Sequence, residues 1–224
     1  MAAMFNTVAP RYDFLNSLLS FGIHRSWRRK AIDLLKDQRP QQILDVATGT
    51  ADFAIEALRL NPLKVTGVDI SEGMLLLGKA KIKKRLLENK IELLQADSEN
   101  LPFLENSFDA ATVAFGVRNF EQLDKGVSAI YRVLKPGGRL VVLEFSNPKN
   151  LFIKFIYSFY FSKVTPFIGR IFSADAKAYQ YLPESVSAFP DGPEFLEVLK
   201  RNGFVSTSFY SLTFNVANIY VGKK

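Results

Sequence analysis

The chain contains no cysteine in 224 residues. That excludes disulfide frameworks, Cys-ligated zinc, iron–sulfur clusters and a cysteine nucleophile. Histidine is nearly as scarce, because His24 stands alone. A multi-His metal site and a Ser-His-Asp scheme are therefore not expected, and no metal is. The N-terminal stretch MAAMFNTVAPRYD has no apolar signal core, so the protein is expected to stay inside the cell, in the cytoplasm. One long apolar run exists, at residues 151–172, but Lys154, Lys163 and Arg170 interrupt it, and Pro166 and Gly169 break it. It reads as a lid helix or an interfacial amphipathic segment rather than a membrane span, with a plain core helix as the alternative.

What is present is a basic excess with an uneven distribution. The net charge is +7. Residues 1–40 hold seven Lys/Arg against three Asp/Glu, and residues 149–177 hold five against one. Residues 41–148 hold thirteen against fourteen, and the remainder balances. Two basic segments thus flank a neutral body, which suits a surface facing lipid headgroups, nucleic acid or an acidic substrate. Ordinary solubilising charge is the plainer alternative.

No repeat, low-complexity tract or Gly/Ser linker interrupts the chain, so one domain is expected across 1–224. Residues 43–47 (ILDVA), 64–68 (KVTGV), 91–95 (IELLQ), 110–115 (AATVAF) and 139–145 (RLVVLEF) read as short buried strands. Helical stretches lie between them, near 52–60, 73–88 and 123–134. This alternation predicts an α/β fold with a doubly wound parallel sheet. A further helix near 192–202 and runs at 204–210 and 216–221 predict an antiparallel pair at the sheet edge.

The first strand runs into Leu44-Asp45-Val46-Ala47-Thr48-Gly49-Thr50-Ala51-Asp52. A glycine in this turn lets the backbone approach a ligand, since no Cβ intervenes. Asp69 follows Gly49 by twenty residues, at the end of the second strand (GVDIS), where a carboxylate can accept hydrogen bonds from ribose hydroxyls. A dinucleotide would need G-x-G-x-x-G and room for a pyrophosphate on the helix N-terminus. Here only Gly49 is glycine, and Asp52 places negative charge where phosphates would lie. A cationic, phosphate-free cofactor fits better, which points to S-adenosyl-L-methionine, with Asp45 and Asp52 facing its positive groups. Asp97 and Ser98 after the third strand (QADSENLPF) can address the adenine. The segment LKPGG (134–138) reads as a tight turn into the fifth strand. Asp45 and Asp52 as helix caps, and Asp69 as a turn residue, are the structural alternatives. The basic run 79–85 (KAKIKKR) reads as a solvated helix face.

With these residues placed, the sequence resembles the class I methyltransferases and, more closely, the ubiquinone/menaquinone biosynthesis C-methyltransferase family (demethylmenaquinone methyltransferase-like). Specific segments carry the likeness: FNTVAPRYD at 5–13, SFGIHRSWRR at 20–29, FGVRN at 115–119 and YQYLPES at 179–185. The resemblance implies the Rossmann-like seven-stranded sheet of that class, mostly parallel with an antiparallel C-terminal edge pair, plus a helical cap. Residues 1–40 would form the cap, 41–146 the cofactor core, 147–190 a lid or substrate insertion, and 191–224 the C-terminal helix and edge strands. It also implies methyl transfer to a ring carbon of a reduced polyprenyl quinone precursor, with demethylmenaquinol favoured over a ubiquinol precursor. Family cofactor positions fall on Thr50, Asp69, Asp97 and Ser98. Another often occupied by Ser is Ala114 here, which offers no hydroxyl. Ala51 stands where the family often has Gly, and its methyl is expected to narrow the loop.

Such a reaction needs a phenolate held or generated beside the methyl donor, and a base for the ring proton. Arg118 and Asn119 at the end of the fourth strand suit the first task. His24 and Asp52 are the candidates for the second. Tyr12, Tyr179 and Tyr181 could shape a slot for the ring. Structural alternatives are packing for His24 and the tyrosines, and an ion pair of Arg118 with Asp52 or Asp45. A polyprenyl substrate implies peripheral contact with the anionic inner face of a membrane through the two basic segments. A homodimer is left open. No nucleic-acid partner is expected, because no Asn/Asp-Pro-Pro-aromatic motif follows the fourth strand. A small-molecule or RNA methyltransferase and a non-catalytic cofactor-binding partner in a quinone-synthesis assembly are the competing readings.

Overall fold

The computed structural model describes residues 4–7, 9, 22–148 and 176–224, with the side chains of 176–180 and 182 excepted. The expected lid at 147–190 and the cap at 1–40 therefore fall partly outside the described residues, as does the whole run 151–172. The elements are α1 (Ile23–Asp33), β1 (Gln42–Val46), α2 (Asp52–Ala57), β2 (Lys64–Asp69), α3 (Glu72–Lys84), β3 (Ile91–Gln95) and β4 (Phe108–Ala114). Then come α4 (Leu123–Val133), β5 (Leu134–Phe145), α5 (Ala176–Ala188), α6 (Pro193–Arg201), β6 (Val205–Leu212) and β7 (Ala217–Lys223).

The strands form one seven-stranded sheet in the order β3-β2-β1-β4-β5-β7-β6. The first five are mutually parallel, while β7 runs antiparallel to β5 and to β6. Alternate side chains of the buried strands point to opposite faces, so near-continuous apolar runs were needed in the sequence. Ile43, Val65 and Ile91 meet Ile32 of α1, Phe53 of α2 and Ile82 of α3 on one face. Leu44, Val113 and Val142 meet Ile130 of α4 and Phe195 of α6 on the other. Each such side chain, fully buried, contributes about 1.5–3 kcal/mol. Strand order reverses between β1 and β4, and ligands of open α/β sheets bind beyond the carboxyl ends of strands at that reversal.

Several expected boundaries differ, two of them for a local reason. Helix α2 stops at Ala57 and passes through the tighter turn Leu58–Leu60. Asn61 precedes Pro62, which disfavours helix at that position, and it leaves in the left-handed region at φ 53°. The LKPGG segment is a bulge inside β5 rather than a separate turn before it. Register jumps from Phe108↔Leu134 to Ala110↔Arg139. The Gly137 N–H donates to the Lys224 carbonyl, and the Lys224 N–H donates to the Gly138 carbonyl. Pairing with the last residue draws the turn into the sheet. Of the 79–85 run, Lys79, Lys83, Lys84 and Arg85 are exposed as expected, but Lys81 turns inward.

Candidate active site

The loop after β1 folds tightly because Ala47, Gly49 and Ala51 all adopt positive φ, at 53°, 55° and 66°. The Gly49 N–H donates to Asp69 Oδ2 at 2.8 Å, and the Ser71 N–H donates to Oδ1 at 2.9 Å. Asp69 thus ties the tip of β2 to the glycine loop. Burial pushes its carboxyl up from the ordinary value against the pull of these bonds. A Cβ placed on Gly49 would meet nothing within 4 Å, so the loop's outer side is open. Ala51 behaves differently from expectation. It is fully buried in the core on the inner side. A Cβ on Gly78 of α3 would stand 3.4 Å from the Ala51 methyl, so that methyl narrows the protein side and not the ligand side.

Gly49, Asp69, Asp97 and Ser98 line a single cavity, together with Ala114 and Asn119. Phe5 lines it from the N-terminal turn at 4–7. The adjacent Asn6 holds that turn in place: its Oδ1 accepts from the Gly73 N–H at 2.9 Å and from Ser71 Oγ at 2.7 Å. Gly73 N–H is one of the donors a helix start leaves unpaired, so Asn6 caps α3 from a distance. Asn6→Ala is expected to weaken cofactor binding about fivefold, the equivalent of one lost cap near 1 kcal/mol. Calorimetric titration reads this directly, and an unchanged Kd would show that residues 4–7 contribute nothing to closure.

Asp45, Thr50 and Asp52 are not among the residues that line the cavity. Asp45 is 1% exposed and accepts from Thr48 Oγ1 at 2.6 Å and Thr112 Oγ1 at 2.7 Å. It supports the loop from below through Thr48 and is not among the residues that line the cavity. Burial pushes its carboxyl up to about 6 from 3.8. The folded chain therefore binds the extra proton between those values, and this group's unfavourable ionisation is relieved as pH falls through about 6. Against Asp45→Asn, which lacks the titration, wild type should gain about 1–1.5 kcal/mol between pH 8 and pH 5. Urea melts of both at the two pH values check it, and a pH-independent difference would refute it.

Asp52 accepts from Arg28 Nη1 at 2.8 Å and Lys81 Nζ at 2.5 Å. Burial opposes ionisation, but the two cations prevail and hold its carboxyl below the ordinary range. A carboxylate so held is a poor proton acceptor, which corrects its candidacy as the base. Lys81 Nζ also donates to Thr50 Oγ1 at 3.0 Å. His24 is buried on α1 and lines neither of the two cavities described here.

The FGVRN segment forms the turn beyond β4. Phe115 takes φ 56°, a conformation costly for a bulky side chain. Gly116 is required next to it, since a Cβ there would come within 2.5 Å of the Ala47 Cβ. Val117–Asn119 makes a short 3-10 turn. From it Arg118 Nη1 donates to the Phe115 carbonyl and to Glu144 Oε1, both at 2.6 Å, and Nε donates to Ser185 Oγ at 3.3 Å. The ion-pair partner is thus Glu144, neither Asp52 nor Asp45. Tyr181 of α5 donates its hydroxyl to Asn119 Oδ1 at 2.9 Å. A second cavity of about 380 Å³ lies between this turn and α5, lined by Arg118, Tyr181 and Ser185 over apolar Val117, Leu123 and Phe189. Phe120 lines both cavities, and Asn119 of the first bonds Tyr181 of the second.

Arg118, Asn119 and Tyr181 are therefore brought together. Tyr12 lies outside the described residues, and of Tyr179 only the backbone position in α5 is described. Phe5, Asn6 and Ser185 fall in the segments FNTVAPRYD and YQYLPES but, like Glu144, were given no site role from the sequence. Glu144 left a signal, being the one charge inside the apolar run LVVLEF, where a buried carboxylate demands a partner.

Across residues 1–224 the sequence matches the model of the ubiE/COQ5 methyltransferase family. The chain belongs to that family. A demethylmenaquinone methyltransferase of Bacteroides fragilis is 51% identical over 99% of this chain and 91% of its own length. A ubiquinone/menaquinone biosynthesis C-methyltransferase of Geotalea daltonii is 47% identical over 99% and 94%. Among solved structures, the [4+2]-cyclase SpnF superposes with a TM-score of 0.70 at 18% identity, covering 100% of this chain and 95% of its own. A SAM-dependent methyltransferase of Thermotoga maritima gives 0.67 at 19%, covering both chains fully. These two similarities concern the fold, which is the Rossmann-like sheet expected of a ubiE/COQ5 methyltransferase.

Proposed function

We propose that this ubiE/COQ5 family member moves the methyl group of S-adenosyl-L-methionine to a ring carbon of demethylmenaquinol, completing a menaquinol. The observation that carries the reading is the FGVRN turn, whose Asn119 lines the first cavity and whose Arg118 lines the second, with the following Phe120 lining both. The names of the relatives support the same chemistry, on menaquinol or ubiquinol precursors.

The residues fit the cofactor. Asp69, Asp97 and Ser98 line the cavity, where Asp69 would accept from ribose hydroxyls and Asp97 and Ser98 would address the adenine, and Gly49 has open space beside it for a close backbone approach. Thr50 belongs to the loop that would carry the methionine tail. When bound, the cofactor supplies an electrophilic methyl on a sulfonium. The protein's task is then to present a carbon nucleophile. The Arg118 guanidinium can hold the acceptor's oxygen as negative charge develops there. Asn119 adds an amide N–H beside it, its carbonyl oxygen being engaged by Tyr181. Val117, Phe120 and Phe189 offer apolar surface to a two-ring body. His24, the other candidate for the ring proton, lines neither cavity, so no base is assigned.

The tail of such a substrate keeps it in lipid, and the basic excess at 1–40 and 149–177 supports peripheral binding to an anionic bilayer, weakened by salt. Among the described residues no helix is long and apolar enough to cross a membrane. The deciding experiment supplies methyl-labelled S-adenosylmethionine with demethylmenaquinol, a ubiquinol precursor or bulk RNA. Label in menaquinol is expected. Label only in the ubiquinol precursor would move the substrate branch, and none in either quinol despite cofactor binding would refute the catalytic reading.

A further inference from the structure

We infer that Glu144 is a positioning residue of this site, acting on the acceptor only through Arg118. The inference rests on the acceptor reading above. Glu144 is the penultimate residue of β5 and is 0% exposed. Its neighbours fix it firmly, since Leu143 pairs with Ala114 of β4 and Glu144 itself with Asn218 of β7. Its carboxylate accepts from Arg118 Nη1 at 2.6 Å, from the Arg118 backbone N–H at 3.3 Å and from the Phe145 N–H at 2.9 Å. One carboxylate thus grips both ends of Arg118, the backbone of the turn and the tip of the side chain. The Phe145 ring then backs the guanidinium at 5.5 Å.

The arrangement leaves one direction open. Among the described residues Nη1 is engaged twice and Nε once, which leaves Nη2 for a ligand in the second cavity that Arg118 lines. A buried ion pair is a weak device for stability, because apolar residues of similar volume commonly do as well or better. It is a strong device for orientation: the planar fork allows little rotation once two edges are bonded. A displacement near 1 Å at such a group can cost about a hundredfold in rate.

The test uses the full chain with labelled S-adenosylmethionine and demethylmenaquinol. Glu144→Asp keeps the charge but shortens its reach by one methylene. Its kcat is expected to fall about tenfold, with cofactor Kd and melting temperature near wild type. Glu144→Gln should lose more. In an Arg118→Lys background, Glu144→Asp should cost less than about twofold, because the group it acts through is already gone. A kcat within about twofold of wild type for Glu144→Asp would overturn the inference, as would an equal loss in both backgrounds. Titration with 2-naphthol, a phenolic two-ring probe, separates this from the proposed reaction. If Glu144→Asp weakens naphthol binding in the wild-type chain but not in the Arg118→Lys background, the positioning role is supported even if no quinol is methylated. Equal naphthol binding by wild type and Glu144→Asp would overturn it.

Discussion

Arg118→Ala is expected to lower the melting temperature by about 10 °C as well as turnover by at least about a thousandfold. The two losses have different origins. Glu144 is fully buried, and among the described residues Arg118 is its one counter-charge, with 7% of its own side chain exposed. Removing one member of such a pair leaves an uncompensated charge and costs about 3–5 kcal/mol, which for a chain of this size is about 2–4 °C for each kcal/mol. Turnover falls because nothing else described in the second cavity offers a permanent positive charge to a developing phenolate. Arg118→Lys separates these effects. The ammonium still compensates Glu144, so most stability should return. A point charge cannot bond Glu144, the Phe115 carbonyl and Ser185 in one plane, so turnover should stay at least tenfold down. Thermal melts with and without cofactor, beside initial rates, check both. An Arg118→Ala protein that melts like wild type would mean that Glu144 is compensated elsewhere.

What the sequence made legible follows from the range of the interactions concerned. Strands buried on both faces announce themselves as apolar runs, and Ile43, Leu44, Val65 and Val142 do so without any partner being known. The cofactor half was legible because Gly49 and Asp69 each sit at a fixed place on one β–turn–α unit. Their mutual bond, Gly49 N–H to Asp69, is a consequence of β1 lying beside β2. Local patterns do not name a partner across the fold. Asp52 looked like a free carboxylate until Arg28 and Lys81, 24 residues before and 29 after it, closed on it. Arg118 could be placed at the sheet's edge from sequence, yet Glu144, 26 positions on, becomes its partner only because β4 and β5 are neighbours. Asn6 capping a helix that begins at Glu72 is the same case at a longer range. The LKPGG bulge depended on pairing with Lys224 at the other end of the chain.

Gly116→Ala is expected to cost at least about a hundredfold in kcat while cofactor affinity falls by less. The added Cβ would meet the Ala47 Cβ at 2.5 Å and Val113 Cγ1 at 3.4 Å. The first contact has little room to relax, since Ala47 has no longer side chain to swing away and its own φ is already 53°. Overpacking of this kind costs about 1–3 kcal/mol. The cheapest escape is to move the turn, and the turn carries Arg118 and Asn119 on the next three residues. Ala47 belongs to the loop that holds Gly49, so cofactor binding should weaken, but only through a backbone shift. The kcat loss should therefore exceed the loss in cofactor affinity by about tenfold or more. A paired substitution, Gly116→Ala with Ala47→Gly, removes the clashing methyl and also relieves the positive φ at 47. Recovery of kcat to within about fivefold of wild type is expected from the pair. A single variant with normal kcat would show that β4 can shift without carrying Arg118 out of line. Failure of the pair to recover would refute the Ala47 contact as the cause.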